Sequence, residues 1–254
     1  MQLIVLGVGS SAGTPVIGCD CATCTSDNPR NKRTRCSSAI KLDDGRTILI
    51  DTSPDLRLQA LRENIRRVDA VLYTHVHADH VNGIDDLRAF CQLQRMQIPL
   101  YGNAYTMDNI STRFGYAIRA PGGTWDLPIL SAQVVEIPFE VCGETIIPIP
   151  VMHGRSRILG YRIRNFAYLT DVSEIPEASL ALLHGLDVLL LDCLRYQPHH
   201  THISVEQSVA YASQIAARDT YFIHMTHDLE YAELEQELPP DMHVGYDGLR
   251  LPLA

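Results

Sequence analysis

The sequence predicts an α/β fold of the αββα sandwich type, two mixed sheets packed face to face with helices outside. Three observations point there. Strand-like segments followed by helices fill the first part of the chain, and a second set of strands followed by helices fills the rest. Pairing two such units buries one face of each sheet against the other. The composition, 46% hydrophobic over 254 residues, supplies a sizeable core. No charge run, low-complexity tract or Pro-rich linker divides the chain, so residues 1–254 read as a single domain.

Residues 1–8 open as a buried strand and run into the loop "GSSAGTPVIGCDCATC", whose small residues let the backbone pass close to a neighbour. The stretch "AIKLDDGRTILIDTS" is a hairpin, two runs of strand character around a turn at Asp44 and Gly45. A helix is expected over residues 55–67, with Leu56, Ala60, Leu61 and Ile65 on its apolar face, then a short strand over 69–74 and a second helix near 83–94. Residues 97–128 are less regular, and their mixture of glycine and aromatics, "RFGYAIRAPGGTW", suggests a loop or a lid. Residues 132–151 and 159–170 read as strands, the latter with a hairpin turn at Arg164 and Asn165. Residues 187–225 form a strand, helix, strand unit whose helix starts on a capping box, Ser204 with Gln207. The tail "HVGYDGLRLPL" is expected as one final strand.

A formal net charge of -9 argues against an extended nucleic-acid surface, because phosphate backbones are bound through clustered Lys and Arg. A bound pair of divalent ions would cancel part of that charge locally. No apolar run approaches the roughly 20 residues of a membrane span, and "MQLIVLG" lacks the charged start of a signal peptide, so no membrane association and a cytoplasmic location are expected. Seven cysteines is an odd number, and Cys19, Cys21 and Cys24 are crowded together, which in such a compartment reads as a metal site before it reads as disulfides.

The chemistry concentrates in "YTHVHADHVNGIDD". It places His75, His77, Asp79 and His80 where the strand over 69–74 empties into a loop, and strand ends are where α/β sheets build sites. The two-residue spacing of His75 and His77 puts both on one face of an extended segment, while a turn after His77 aims Asp79 and His80 at a neighbouring point. Four ligands so arranged suit two adjacent ions better than one, and imidazole with carboxylate suits Zn, Mn or Fe. The C-x-C-x2-C loop offers three thiolates to a tetrahedral structural zinc, with the fourth ligand from elsewhere. Cys91, Cys142 and Cys193 fall in expected helix or strand, where a thiol acts as a small apolar residue.

The H-x-H-x-D-H segment resembles the defining motif of the metallo-β-lactamase superfamily, whose fold is an αββα sandwich. The resemblance implies further ligands at later strand ends. His153 in "PVMHGRS" would complete a first metal site with His75 and His77, and Asp171 in "YLTDVS" would bridge both ions. His224 in "YFIHMTH" would complete the second site with Asp79, His80 and Asp171. Asp51 in "ILIDTS" resembles the superfamily's first motif, where an aspartate supports the site without ligating, since such carboxylates orient metal-bound imidazoles. His227, three positions beyond His224, is the leading candidate for the fourth corner of the cysteine site, with Cys36 as the alternative.

The loop "GCDCATC", "THVHADH", "GYDG" and a second histidine after His224 together resemble the PhnP-type phosphodiesterases of the carbon-phosphorus lyase pathway, from Gly7 to Gly248. That resemblance implies one structural zinc, a two-metal active site holding Mn or Zn, and a small phosphodiester substrate, including cyclic phosphates of ribose derivatives. It also assigns His202 in "HHTHISVEQ" a place beside the metals, where it steadies the phosphate or protonates the leaving oxygen, with His199 and His200 nearby. His202 and Asp79 are therefore the catalytic candidates. The ions would lower the pKa of a water between them, making it a nucleophile at neutral pH. Arg155 and Arg157 are candidate phosphate contacts. The alternatives are a lactone or thioester hydrolase or a nuclease using the same metals, or a cofactor-biosynthesis accessory protein like that of pyrroloquinoline quinone. Family precedent is compatible with a homodimer.

Overall fold

The computed structural model describes residues 1–118 and 129–254. Strands β1 (Gln2–Gly7), β2 (Ser37–Lys41), β3 (Thr47–Ile50), β4 (Ala70–Leu72), β5 (Ile98–Gly102) and β6 (Leu130–Val134) build a first sheet. A second contains β7 (Phe139–Val141), β8 (Glu144–His153), β9 (Ser156–Ile163), β10 (Phe166–Leu169), β11 (Val188–Asp192), β12 (Asp219–Ile223) and β13 (Met242–Val244), and β14 (Arg250–Pro252) returns to the edge of the first. Each sheet has seven strands, in the orders β14-β1-β2-β3-β4-β5-β6 and β13-β12-β11-β10-β9-β8-β7. Both are mixed in the same way. An antiparallel half, β14 to β3 or β7 to β10, continues into parallel strands, β3 to β6 or β10 to β13.

The period of two along the strands explains why the sandwich closes. Leu3, Val5, Ile48, Ile50 and Leu72 share one core with residues of the second sheet such as Ile149, Tyr161 and Leu191. Their neighbours Ile4, Leu6, Leu49, Val71 and Tyr73 belong to a separate core beneath the helices. Strands apolar on both faces are what a sheet covered on both sides requires. Each fully buried aliphatic side chain contributes about 1.5–3 kcal/mol to this packing.

The helices are α1 (Ala22–Thr25), α2 (Leu56–Arg62), α3 (Ala78–Val81), α4 (Leu87–Gln94), α5 (Ala104–Arg113), α6 (Gly115–Ile118), α7 (Glu177–Leu180), α8 (Val205–Ile215) and α9 (Tyr231–Glu237). Several differ from expectation. The helix expected over 55–67 ends at Arg62 because Asn64 takes a left-handed φ of 53°. Ile65 still reaches the core, but Leu61, off the stripe set by Leu56 and Ala60, is 65% exposed. The irregular reading of 97–128 missed β5, α5 and α6. Pro99 disguised a strand whose Ile98, Leu100 and Gly102 alternate inward, and Asn103 caps α5 by accepting from Thr106 N at 2.8 Å. The lid reading otherwise concerns residues 119–128, outside those described.

The single terminal strand is two, β13 and β14, one in each sheet. The chain turns between them at Asp247, whose carboxylate accepts from Val8 N and Thr34 N, and at Gly248, with φ 88°. Cys142 occupies the β7–β8 turn with φ 52° rather than a strand, and Cys193 follows β11 directly. The Ser204 and Gln207 capping box forms as read, with Ser204 N donating to Gln207 Oε1 at 2.9 Å. No helix among the described residues is long and apolar enough to cross a membrane.

Gly83 closes the histidine-rich loop against the first sheet, its N–H donating to Thr52 O at 2.9 Å. An added Cβ would fall on the backbone carbonyl of Ser53 and 2.8 Å from Leu56 Cβ. Gly83→Ala is therefore expected to destabilise the fold by about 1–3 kcal/mol, the usual cost of overpacking, read as a lower midpoint in urea at unchanged m-value.

Candidate metal centre

The site forms where strands of both sheets end on one rim of the sandwich. Asp51 follows β3, Asp171 lies just past β10 and His224 follows β12, and all three adopt left-handed backbone, with φ of 59°, 57° and 61°. Such conformations are uncommon outside glycine and cluster where surrounding structure overdetermines them for function. Here they bend each strand end so that its polar side chain turns onto the rim instead of continuing the sheet. His153 closes β8, and the loop after β4 supplies His75, His77, Asp79 and His80.

Two donor groups result. Ligand atoms of His75, His77, His153 and Asp171 lie within 4.8 Å of one another, as do those of Asp79, His80 and His224. Asp171 faces both. Its Oδ1 is 3.8 Å from His75 Nε2, while its Oδ2 is 3.1 Å from His80 Nε2 and 3.5 Å from His224 Nε2. Asp79 Oδ2 is 3.4 Å from His80 Nε2 and 3.5 Å from His224 Nε2. His77 is exposed and marks the open side.

The supporting contacts choose which nitrogen each ring presents. Asp51, fully buried, accepts from His80 Nδ1 at 2.7 Å and from Thr74 N and Thr74 Oγ1 at 2.8 Å each, which leaves His80 Nε2 for the site. His153 Nδ1 donates to Thr201 O at 2.9 Å, with the same effect. Gly154, at φ 60°, lets this loop approach the 200–202 segment, since an added Cβ would meet Thr201 Cγ2 at 2.9 Å.

The residues fit a pair of divalent cations. His75 Nε2, His80 Nε2 and His224 Nε2 are buried without a hydrogen-bond partner, a costly condition for polar atoms that a shared cation relieves. The electrostatics agree. Burial pushes the carboxyls of Asp79 and Asp171 up, yet the neighbouring histidines hold both well below the usual carboxylate range. Burial disfavours the cations of His80 and His224, but Asp171 and the other carboxylates hold His80 well above its ordinary value and His224 at about 9. His75, buried and facing His80, is pushed down and kept neutral. The carboxylates thus demand positive charge at this point, and nitrogen with oxygen donors suits a transition-metal pair.

A second cluster lies on the loop that follows His224. His227 Nδ1 is 3.3 Å from Cys19 Sγ, 3.3 Å from Cys21 Sγ and 3.4 Å from Cys24 Sγ. A tetrahedron with zinc–sulfur and zinc–nitrogen bonds of ordinary length has edges of about 3.5 Å, so the four atoms are spaced for one ion. The Cys24 N–H lowers the Cys21 thiol to about 6, while burial raises that of Cys24 to about 11. Cys36, the alternative fourth corner, is buried elsewhere, near His80 and Asp171. The buried Arg33 braces the His227 loop, donating to Thr226 O at 2.8 Å and Leu229 O at 2.6 Å.

His202 reaches the centre from the loop between β11 and α8. Its ring stacks on His224 at 4.9 Å and 10°, and its Nε2 is 3.8 Å from Asp171 Oδ1. It does not cap α8, a task left to Ser204. His199 bonds Thr201 and lies 5.3 Å, ring to ring, from His202, and the exposed His200 lies 4.5 Å, ring to ring, from His199. Sequence reading missed Asp192. Fully buried at the end of β11, it lies 3.3 Å from His202 Nδ1 and 3.5 Å from His224 Nδ1, and receives the Asp171 N–H at 3.2 Å. The signal was present: "LLLD" closes an apolar strand with an aspartate as "TILID" does at Asp51.

A model described as Beta-lactamase superfamily domain matches residues 46–225. The octanoyltransferase of Porphyromonas gingivalis is 41% identical over 259 residues, covering 98% of this chain and 51% of that protein. The chain thus spans about half that relative's length. Coenzyme PQQ synthesis protein B of Methylobacterium radiotolerans is 28% identical over 76% of this chain and 72% of its own. Among solved structures, a diphosphatase from the PhnP family superposes with a TM-score of 0.93 at 42% identity, covering 100% of this chain and 98% of that one. Zn²⁺-bound PqqB from Methylobacterium extorquens, at 23% identity and a TM-score of 0.82, covers 100% of both chains and shares the fold. With its two seven-stranded mixed sheets and the ligand-rich rim between them, the chain belongs to the metallo-β-lactamase superfamily.

Proposed function

We propose that this chain is a metal-dependent hydrolase with a dinuclear centre that cleaves phosphodiester or diphosphate bonds in small molecules. The observation that carries the reading is Asp171, whose two oxygens face two separate sets of histidines while His202 stands beside it. His75, His77, His153 and Asp171 would hold one ion, and Asp79, His80, His224 and Asp171 the other. Manganese and zinc both suit these donors. Such a pair, when bound, activates water and clamps the phosphoryl oxygen on which charge grows. His202 supplies the proton to the departing oxygen from Nε2, with Asp192 holding Nδ1 and fixing the ring. The likeness to a diphosphatase of the PhnP family and the net charge of -9 both favour a small substrate over RNA.

The test is metal analysis coupled to turnover of bis(p-nitrophenyl) phosphate and a nucleoside diphosphate ester, with a lactone and an octanoyl thioester alongside. Cleavage of the phosphorus compounds alone supports the proposal. Turnover of the thioester instead would favour a second reading, an acyl hydrolase. That reading has one observation behind it, the 41% identity to a protein named octanoyltransferase.

Cys19, Cys21, Cys24 and His227 are assigned in the same proposal to a structural zinc. The site pins the 19–24 loop to the segment that carries His224 three residues earlier. Cys21→Ser is expected to lose one zinc per chain and to lower Tm by several degrees, consistent with a loss of about 1–3 kcal/mol, with a parallel drop in active-site metal affinity. Retention of all zinc by the variant would refute the assignment.

A further inference from the structure

Beside His75, His77 and His153 the cleft widens into a cavity of about 350 Å³, within the size range of small-molecule sites. One wall is the start of α5, with Asn103, Tyr105 and Thr106; the other is the start of β9, with Ser156 and Arg157. The walls meet where Asn103 Nδ2 donates to Arg157 O at 3.4 Å. A hollow of about 200 Å³ continues past Tyr105, Arg157 and Glu136.

Two side chains here have no task in the fold. Tyr105 is 68% exposed although its backbone is fixed in the capped first turn of α5. An exposed aromatic ring on a fixed backbone beside a cavity offers a stacking platform. Several arginines elsewhere are matched to carboxylates, as Arg35 is to Asp55, Arg67 to Asp69 and Arg164 to Glu144, and others to carbonyl or amide oxygens, as Arg113 is to Val76 O and Asn82 Oδ1. The Arg157 guanidinium makes no hydrogen bond or ion pair among the described residues, Glu136 included. It stands next to a metal centre that would engage only one phosphoryl group, so a second anion on the substrate is what would meet it.

We infer that Tyr105 and Arg157 form a subsite for the part of the substrate that is not attacked, and that this subsite takes a nucleoside diphosphate. One phosphoryl group sits at the histidines, the neighbouring phosphate on Arg157 and the base on Tyr105. The inference rests on the phosphoryl reading above. Hydrolysis then adds one water across the P–O–P bridge. The water oxygen bonds to the attacked phosphorus, the bridging oxygen leaves on the second phosphate, and each product phosphate gains one proton, with no change of oxidation state.

The test is calorimetric binding of α,β-methylene adenosine diphosphate, whose P–C–P bridge resists hydrolysis, and of AMP, to the metal-loaded protein. The wild type is expected to bind the diphosphonate at least about tenfold tighter than AMP. Arg157→Gln should weaken both ligands about 10- to 100-fold, because a base seated on Tyr105 brings the phosphate of AMP, like the inner phosphoryl group of the diphosphonate, to Arg157. Tyr105→Ala should weaken both about tenfold, and Tyr105→Phe neither. Equal affinity of the wild type for both ligands, or affinities unmoved by Arg157→Gln, overturns the subsite. Discrimination in binding without hydrolysis of any phosphorus substrate would instead overturn the hydrolase reading and leave the subsite standing.

Discussion

His202→Ala is expected to lower kcat on an alkyl phosphodiester by about 10²–10⁴, the usual worth of a general acid, while both active-site metal equivalents are retained. The ring is fixed in place. Asp192 sits 3.3 Å from Nδ1, the His224 ring stacks against one face at 4.9 Å, and Nε2 is left facing Asp171 at 3.8 Å. The same proximity would also allow His202 to serve as a ligand, since its nitrogen groups with Asp171 and His224 within 4.8 Å. Metal content separates the two roles: a ligand takes metal with it when removed, and a proton donor does not. The leaving group gives an independent readout. p-Nitrophenolate departs without a proton, so the loss on bis(p-nitrophenyl) phosphate should be much smaller than on a substrate that releases an alkoxide. Equal losses on both would show that His202 acts on the attacked phosphoryl group rather than on the departing oxygen. Asp192→Asn, which keeps the packing but weakens the hold on Nδ1, should cost roughly 10- to 100-fold on the alkyl substrate.

The sandwich was legible because its strands follow simple patterns. "TILID", "LLLD" and "YLTD" each end an apolar run on an aspartate, and the structure puts all three carboxylates on one rim. Motif spacing located His75 through His80, but it did not show that Asp51, Asp171 and His224 reach the rim through left-handed backbone, because that conformation is imposed by tertiary packing. Asp192 escaped for a related reason. Nothing local distinguishes a strand-ending aspartate that turns into solvent from one that lies beneath two histidines. Pro99 concealed β5, an instance of a true local signal overruled by its neighbours, since the alternation of Ile98, Leu100 and Gly102 inward suffices to keep the segment in the sheet. With β5 went α5, and with α5 the wall that carries Tyr105.

Asp171→Asn isolates the feature on which the dinuclear reading turns. Asparagine matches aspartate in shape and tolerates the left-handed φ of 57° at this position, so the backbone cost that alanine would add is avoided. What changes is charge. One side-chain oxygen remains to serve a single metal site, and the NH₂ group now points a donor at the other. The imidazoles of His80 and His224, held up by this carboxylate first among their neighbours, lose that partner at the same time. The variant is therefore expected to fold with a near wild-type far-UV spectrum, to bind one ion or none in place of two, and to lose about 10²–10³ or more in kcat. A single-metal variant with residual turnover would assign the chemistry to the ion that stays, and which set of histidines retains it can be read by combining the change with His153→Ala or His224→Ala. Two tightly held ions at full rate would mean that Asp171 does not bridge, and that each set binds its metal unaided.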